Sequence, residues 1–223
     1  MNDGAGFMRI WNKTRAAGMV LALSFGLLAC GGGEDEGLRF IGAEKVCDGI
    51  FSGDVARAVE TAVGDRAFFR TSDDALEDAA SGVKEFYADG QTIVRIRKLC
   101  SIKGEARGSG RMDIHFSLYR ADDALRTTHS ASESPYQLGK RALAGFDGSR
   151  LYFECVSPQM NGSGKQPARV YAGMSLDDRE VEDTQALREA NLTALHAASL
   201  ALAKELKCEN NGGLPEKAVL RPK

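Results

Sequence analysis

Apolar positions change period along the chain, and each change marks an element. Val55, Ala58, Val59, Ala62 and Val63 recur at i, i+3, i+4, i+7 and i+8, which predicts a short helix with one buried side. Ser52 stands where an N-cap is expected and Gly64 where a helix stops. A second helical stripe, Leu76, Ala79, Ala80 and Val83, opens at Ser72-Asp73-Asp74 and closes near Tyr87. Gly82 interrupts it, at a cost of about 1 kcal/mol relative to alanine.

From Gln91 the period becomes two. Val94, Ile96, Cys100 and Ile102 fall on one side of an expected strand and Arg95, Arg97 and Ser101 on the other. After the polar, glycine-rich stretch 103–110, Met112, Ile114, Phe116 and Leu118 alternate with Arg111, Asp113, His115, Ser117 and Tyr119, the clearest strand in the chain. The segment 122–135 is polar and reads as a connection. Residues 141–146 and 150–156 flank Asp147-Gly148, a strong hairpin signal, with Cys155 on the Leu151 and Phe153 face. Asn161-Gly162-Ser163-Gly164 predicts a further turn, and Val170, Ala172, Met174 and Leu176 a last strand. The longest helical pattern runs over 183–207, with Leu192, Leu195, Ala198, Leu202 and Leu206 on a broad apolar side and Asn211-Gly212-Gly213 beyond its end.

The order helix, helix, about five antiparallel strands, helix predicts an α+β fold. Helices should cover one face of the sheet and leave the other at least partly solvated. One domain over 45–210, followed by a C-terminal tail at 211–223, accommodates all of these elements.

Charge and composition narrow the function classes. The 223 residues carry a net charge of −2 with the signs interspersed, so nucleic acid is not an expected partner. The single tryptophan, Trp11, lies ahead of the domain, which leaves the domain without an indole for stacking on sugars. Cys47, Cys100, Cys155 and Cys208 form no C-x-x-C pair and have no histidine close by, so neither zinc nor another metal is expected and no cofactor motif is present. Two disulfides are the natural reading in an oxidising compartment. Cys47–Cys100 with Cys155–Cys208 is favoured because each would join a helix end to a strand within one half of the chain. The nested pairing Cys47–Cys208 with Cys100–Cys155 remains open.

The amino-terminal region fixes an address. Arg9, Lys13 and Arg15 precede an apolar run from Ala16 to Ala29, the order of a secretory signal, with either Met1 or Met8 able to serve as its start. The run is shorter than the ~20 residues a membrane-spanning helix needs. It ends in Leu27-Leu28-Ala29-Cys30, which resembles the lipobox of bacterial lipoproteins. That resemblance implies cleavage of residues 1–29, acylation of Cys30 and attachment to the extracytoplasmic face of the membrane. Residues 30–44, opening Gly31-Gly32-Gly33-Glu34-Asp35-Glu36-Gly37, would then form a lipidated flexible tether. With four further cysteines and a terminal helix ending Ala-Leu-Ala-Lys-Glu-Leu-Lys-Cys208, the chain also resembles small disulfide-bonded surface lipoproteins of actinobacteria, a group that brings no active site to transfer.

Candidate chemistry is sparse. Gly162-Ser163-Gly164-Lys165 lacks the spacing of a phosphate loop, which requires glycine where Gln159 stands and serine or threonine where Gln166 stands. His115, His129 and His196 lie on different elements and read as surface or boundary histidines. The acid pairs Asp73-Asp74, Asp122-Asp123 and Asp177-Asp178 lack calcium-loop spacing and read as caps and turns. The wet sheet face would gather Arg95, Arg97, Asp113, His115, Ser117 and Tyr119, a mixed patch suited to a small ligand or a peptide. The expected function is a membrane-anchored binding or accessory module for an envelope protein or small ligand. The alternative is an extracytoplasmic hydrolase whose site assembles only in the fold.

Overall fold

A computed structural model describes residues 40–69, 75–90, 95–120, 132–180 and 182–223, all within one compact unit. The leader, Cys30, most of the tether, the segment Ser72-Asp73-Asp74, Val94, Asp122-Asp123 and His129 lie outside the described residues. The fold is α+β. Among the described residues, three α-helices, α1 (Asp54–Val63), α2 (Ala75–Ala88) and α3 (Gln185–Glu205), accompany strands β1 (Arg97–Lys103), β2 (Arg111–Leu118), β3 (Ser134–Tyr136), β4 (Arg141–Ala144), β5 (Gly148–Cys155) and β6 (Ala168–Asp177). The strands form one antiparallel sheet in the order β1-β2-β6-β5-β4-β3. The strand beyond the expected five is β3, in a segment read as polar connection. It is only three residues long and sits at the sheet edge, where Ser134 and Pro135 are tolerated.

The alternation of β2 decides which face is buried. Met112, Ile114 and Phe116 are fully buried, as are Ala172, Val170, Leu151 and Phe153 on β6 and β5, and α2 and α3 cover this side. Helix α3 is buried over most of its circumference because it packs on β4 and β5 on one side and on α1 on the other. Thr184 caps it, its side chain accepting from the Leu187 N–H at 3.2 Å. Asn191, fully buried, donates to the carbonyls of Gly145 (2.9 Å) and Phe146 (3.2 Å), tying α3 to the Asp147-Gly148 hairpin.

The start of α1 departs from expectation. Ser52 is not its N-cap: Gly53 occupies that position at φ 55°, a left-handed conformation that glycine adopts without strain, and no side chain caps the helix. Gly64 stops it as expected, at φ 76°. In α2 the Leu76 N–H is satisfied from outside the helix, by Asp48 Oδ2 at 2.7 Å.

Disulfides join Cys47 to Cys100 and Cys155 to Cys208, with Cα atoms 5.8 and 5.0 Å apart. The first anchors an amino-terminal turn to β1. The second anchors the chain leaving α3 to the end of β5. Packed chain extends past both ends of the expected domain. Ile41 pairs with Phe68, and residues 211–223 fold back so that Leu214 is buried and Pro222 bridges Tyr136.

Candidate functional site

The face of the sheet away from the helices is set by the residues that alternate with the core. Asp113, His115 and Ser117 on β2 lie beside Ser175, Gly173 and Tyr171 on β6. Arg150 and Tyr152 on β5 follow in the same rows. Gly173 is the pivot. A Cβ there would stand 2.5 Å from His115 Nε2 and 2.8 Å from the Tyr171 hydroxyl, so the absent side chain leaves room for both rings. A row of aromatic rings follows: His115 to Tyr171 at 5.9 Å, Tyr171 to Tyr152 at 5.2 Å, and Tyr152 edge-on to Tyr119 at 5.2 Å.

Ion pairs border this row. Lys98 Nζ lies 2.6 Å from Asp113 Oδ1 and Arg111 Nε 3.3 Å from its other oxygen. Arg150 grips Glu133 in a two-pronged pair, and Glu154 lies between Lys140 (2.8 Å) and Arg169 (3.7 Å). Burial alone would raise the Asp113 carboxyl. Hydrogen bonds from Lys98 and Ser101, with the Lys98 and Arg111 charges, outweigh it and hold the group below its ordinary range. Burial lowers the His115 pKa against the pull of Asp113, favouring a neutral imidazole. Tyr119 and Tyr171 are pushed up to about 12, each chiefly by burial, so both stay protonated.

Arg95 and Arg97 are not part of this face, which corrects the expected patch. The register of β1 slips between Lys98 and Cys100, and the extra residue, Leu99, reverses the facing of everything before it. Arg97 therefore pairs with Phe116 and lies on the helix side. Both guanidinium groups stand 5.7 Å from the Phe86 ring. Arg95 pairs with Asp89 at 2.7 Å, and Arg97 lies 3.6 Å from Glu85. The same slip exposes Ile96 instead, 64 % accessible. Ile96, Lys98, Ser101, Asp113, His115 and Ser175 line a groove of about 450 Å³.

Sequence reasoning placed Asp113, His115, Ser117 and Tyr119 together and missed Tyr152, Tyr171 and Ile96. The two tyrosines sit on the polar phase of their own strands, a signal usable only once β2, β6 and β5 are known to be neighbours. The expected turn at Asn161-Gly162-Ser163-Gly164 is present. Ser163 is buried, accepts from the Ser157 N–H (2.9 Å) and donates to the Ser157 carbonyl (2.8 Å), a purely structural use. Asp177 and Asp178 lie at the end of β6 within 4.0 Å of Arg111. His196, expected at the surface or a boundary, is buried. No group of metal-binding side chains occurs among the described residues, and none of their helices is long and apolar enough to cross a membrane. Comparison with protein-family models, with curated proteins and with solved structures finds no match.

Proposed function

We propose that the chain is an extracytoplasmic lipoprotein, anchored through Cys30, whose domain serves as a binding module for a protein partner in the cell envelope. The observation that carries the binding reading is the bulge at Leu99, which turns Ile96 outward beside the half-buried His115 ring in the groove at the β1 edge. An exposed branched side chain flanked by paired charges is the anatomy of a small interface: an apolar anchor inside a polar rim. The lipobox-like sequence and acidic glycine tether supply the reason for placing such a surface at the membrane.

A hydrolase working on this face through a covalent hydroxyl nucleophile and His115 as base would need that hydroxyl activated beside the ring. Across Gly173 from that ring stands the Tyr171 hydroxyl, whose pKa moves up rather than down, opposite to what activation requires. The binding reading is therefore preferred.

The test is a photo-crosslinking residue at Ile96 in the full chain, expressed in its native envelope, with Val219, another exposed apolar position, as control. A partner captured from position 96, absent from position 219 and lost when His115 is changed to Ala supports the reading. Identical capture from both positions, or none, removes it.

A further inference from the structure

A pair of aromatic rings stands where the tether meets the domain. Ile41 pairs with Phe68, and the Phe69 N–H donates to the Lys103 carbonyl at 3.1 Å. Phe40, Phe69 and Lys103 therefore share one cross-strand row, and Lys103 continues it to Arg111 on the open face of the sheet. Phe68, out of phase with that row, is fully buried. The Phe40 and Phe69 rings meet edge to face, 5.1 Å apart. Phe40 is 37 % exposed; among the described residues, the other large apolar side chains left exposed are Ile96 and Val219.

Two aromatic rings alone would hold a bilayer weakly. On an acylated chain they are held close to one, because residues 30–39 between the lipid and Phe40 reach at most about 35 Å even when fully extended. That confinement acts as an effective concentration of about millimolar or more, enough to make a weak contact persist. Charge does not supply the attraction. Lys103 lies 3.5 Å from Asp178, and Arg111 lies 4.0 Å from both Asp177 and Asp178, so the cations beside the rings are paired with acids. Ile96 lies beyond the opposite end of β1 from Lys103, about 20 Å away at the rise of a strand.

We propose that Phe40 and Phe69 seat the domain on the lipid bilayer, with β1 rising away from the surface so that the groove at Ile96 faces outward. This docking rests on the acylation of Cys30 proposed above. It adds an orientation to the anchor: the rings enter the boundary between headgroups and acyl chains, and the partner surface is presented at the far end of the same strand.

The test uses the acylated chain carrying either Phe40→Trp or Ile96→Trp, in phosphatidylcholine vesicles with and without lipids brominated along the acyl chain. Cleavage ahead of Cys30 removes Trp11, so each variant holds a single indole. Emission from Phe40→Trp should move to shorter wavelength and fall about twofold in the brominated vesicles, as expected for a ring at the acyl boundary. High salt should not restore it, since the contact is apolar. Ile96→Trp should keep its emission. Equal loss from both variants, no loss from Phe40→Trp, or a loss that salt reverses overturns the proposal. A shift seen in native membranes but not in pure lipid assigns the rings to a protein partner and overturns it as well. Intact mass of the same samples separates the two readings: an acylated chain without quenching ends the docking and leaves the anchor standing, whereas an unacylated chain ends both.

Discussion

Arg97 lies in the space that a side chain at Gly82 would fill: a Cβ on that glycine would overlap the Arg97 guanidinium stem. The glycine that weakens α2 by sequence criteria is what allows the arginine to pass between helix and sheet and stack over Phe86.

Replacing Gly82 with Ala should therefore fail to stabilise the protein. The usual gain of about 1 kcal/mol in a helix interior is expected to be reversed by displacement of Arg97, with a net loss of about 1–2 kcal/mol. In an Arg97→Ala background the same change should become stabilising. Urea denaturation of the four members of the cycle measures the coupling. Equal effects of Gly82→Ala in both backgrounds would show that the two residues do not compete.

Ser163 has a similar internal role. Ser163→Ala should cost about 1–3 kcal/mol, because it leaves the Ser157 N–H buried and unpaired. Lys165→Ala, two residues on at an exposed position, should change stability by no more than about 0.5 kcal/mol. Thermal unfolding of both variants distinguishes a structural turn from a phosphate loop, and nucleotide should not raise the midpoint of the parent chain.

Each disulfide closes a loop of the same sequence separation, 53 residues. The chain-entropy account assigns about 4 kcal/mol to either bridge as an upper-end figure. Replacing both cysteines of one pair by alanine should cost about 2–4 kcal/mol for each pair, read by chemical denaturation. Non-reducing peptide mapping should give Cys47 with Cys100 and Cys155 with Cys208. A peptide joining Cys47 to Cys208 would contradict the architecture.

His115 and His196 both have pKa values lowered from the ordinary 6.5, in each case chiefly by burial. The unfolded chain then binds more protons than the folded one once pH drops to that value. The stability these histidines contribute is present above pH 6.5 and is lost as pH falls from there toward the lowered folded values. Stability should fall over this window, and His196→Gln should flatten the decline. Unfolding free energies between pH 7.5 and 5, chosen to bracket the window, provide the check, and an unchanged slope in the variant would contradict the assignment.

Strong periodicity made the helices, the β2 core and the Asp147-Gly148 hairpin legible, because in each the buried residues repeat at the spacing of the element itself. The bulge was not. Val94, Ile96, Cys100 and Ile102 keep an even spacing in sequence, yet Leu99 adds a residue between Lys98 and Cys100 in the pairing, which puts Ile96 on the opposite face from Cys100. That one slip removed Arg95 and Arg97 from the candidate face. Strand β3 escaped notice because three residues containing Ser134 and Pro135 carry no alternation to detect. The burial of His196 escaped for another reason: α3 is covered on two sides, so its polar positions no longer mark solvent.

The central claim, export followed by acylation at Cys30 and oxidation of the other four cysteines, is tested most directly by intact mass of the protein recovered from its native envelope, before and after reduction. The account predicts a chain beginning at an acylated Cys30 that gains four hydrogens on reduction. An uncleaved, unacylated chain with free thiols, recovered from the cytosol, would contradict it.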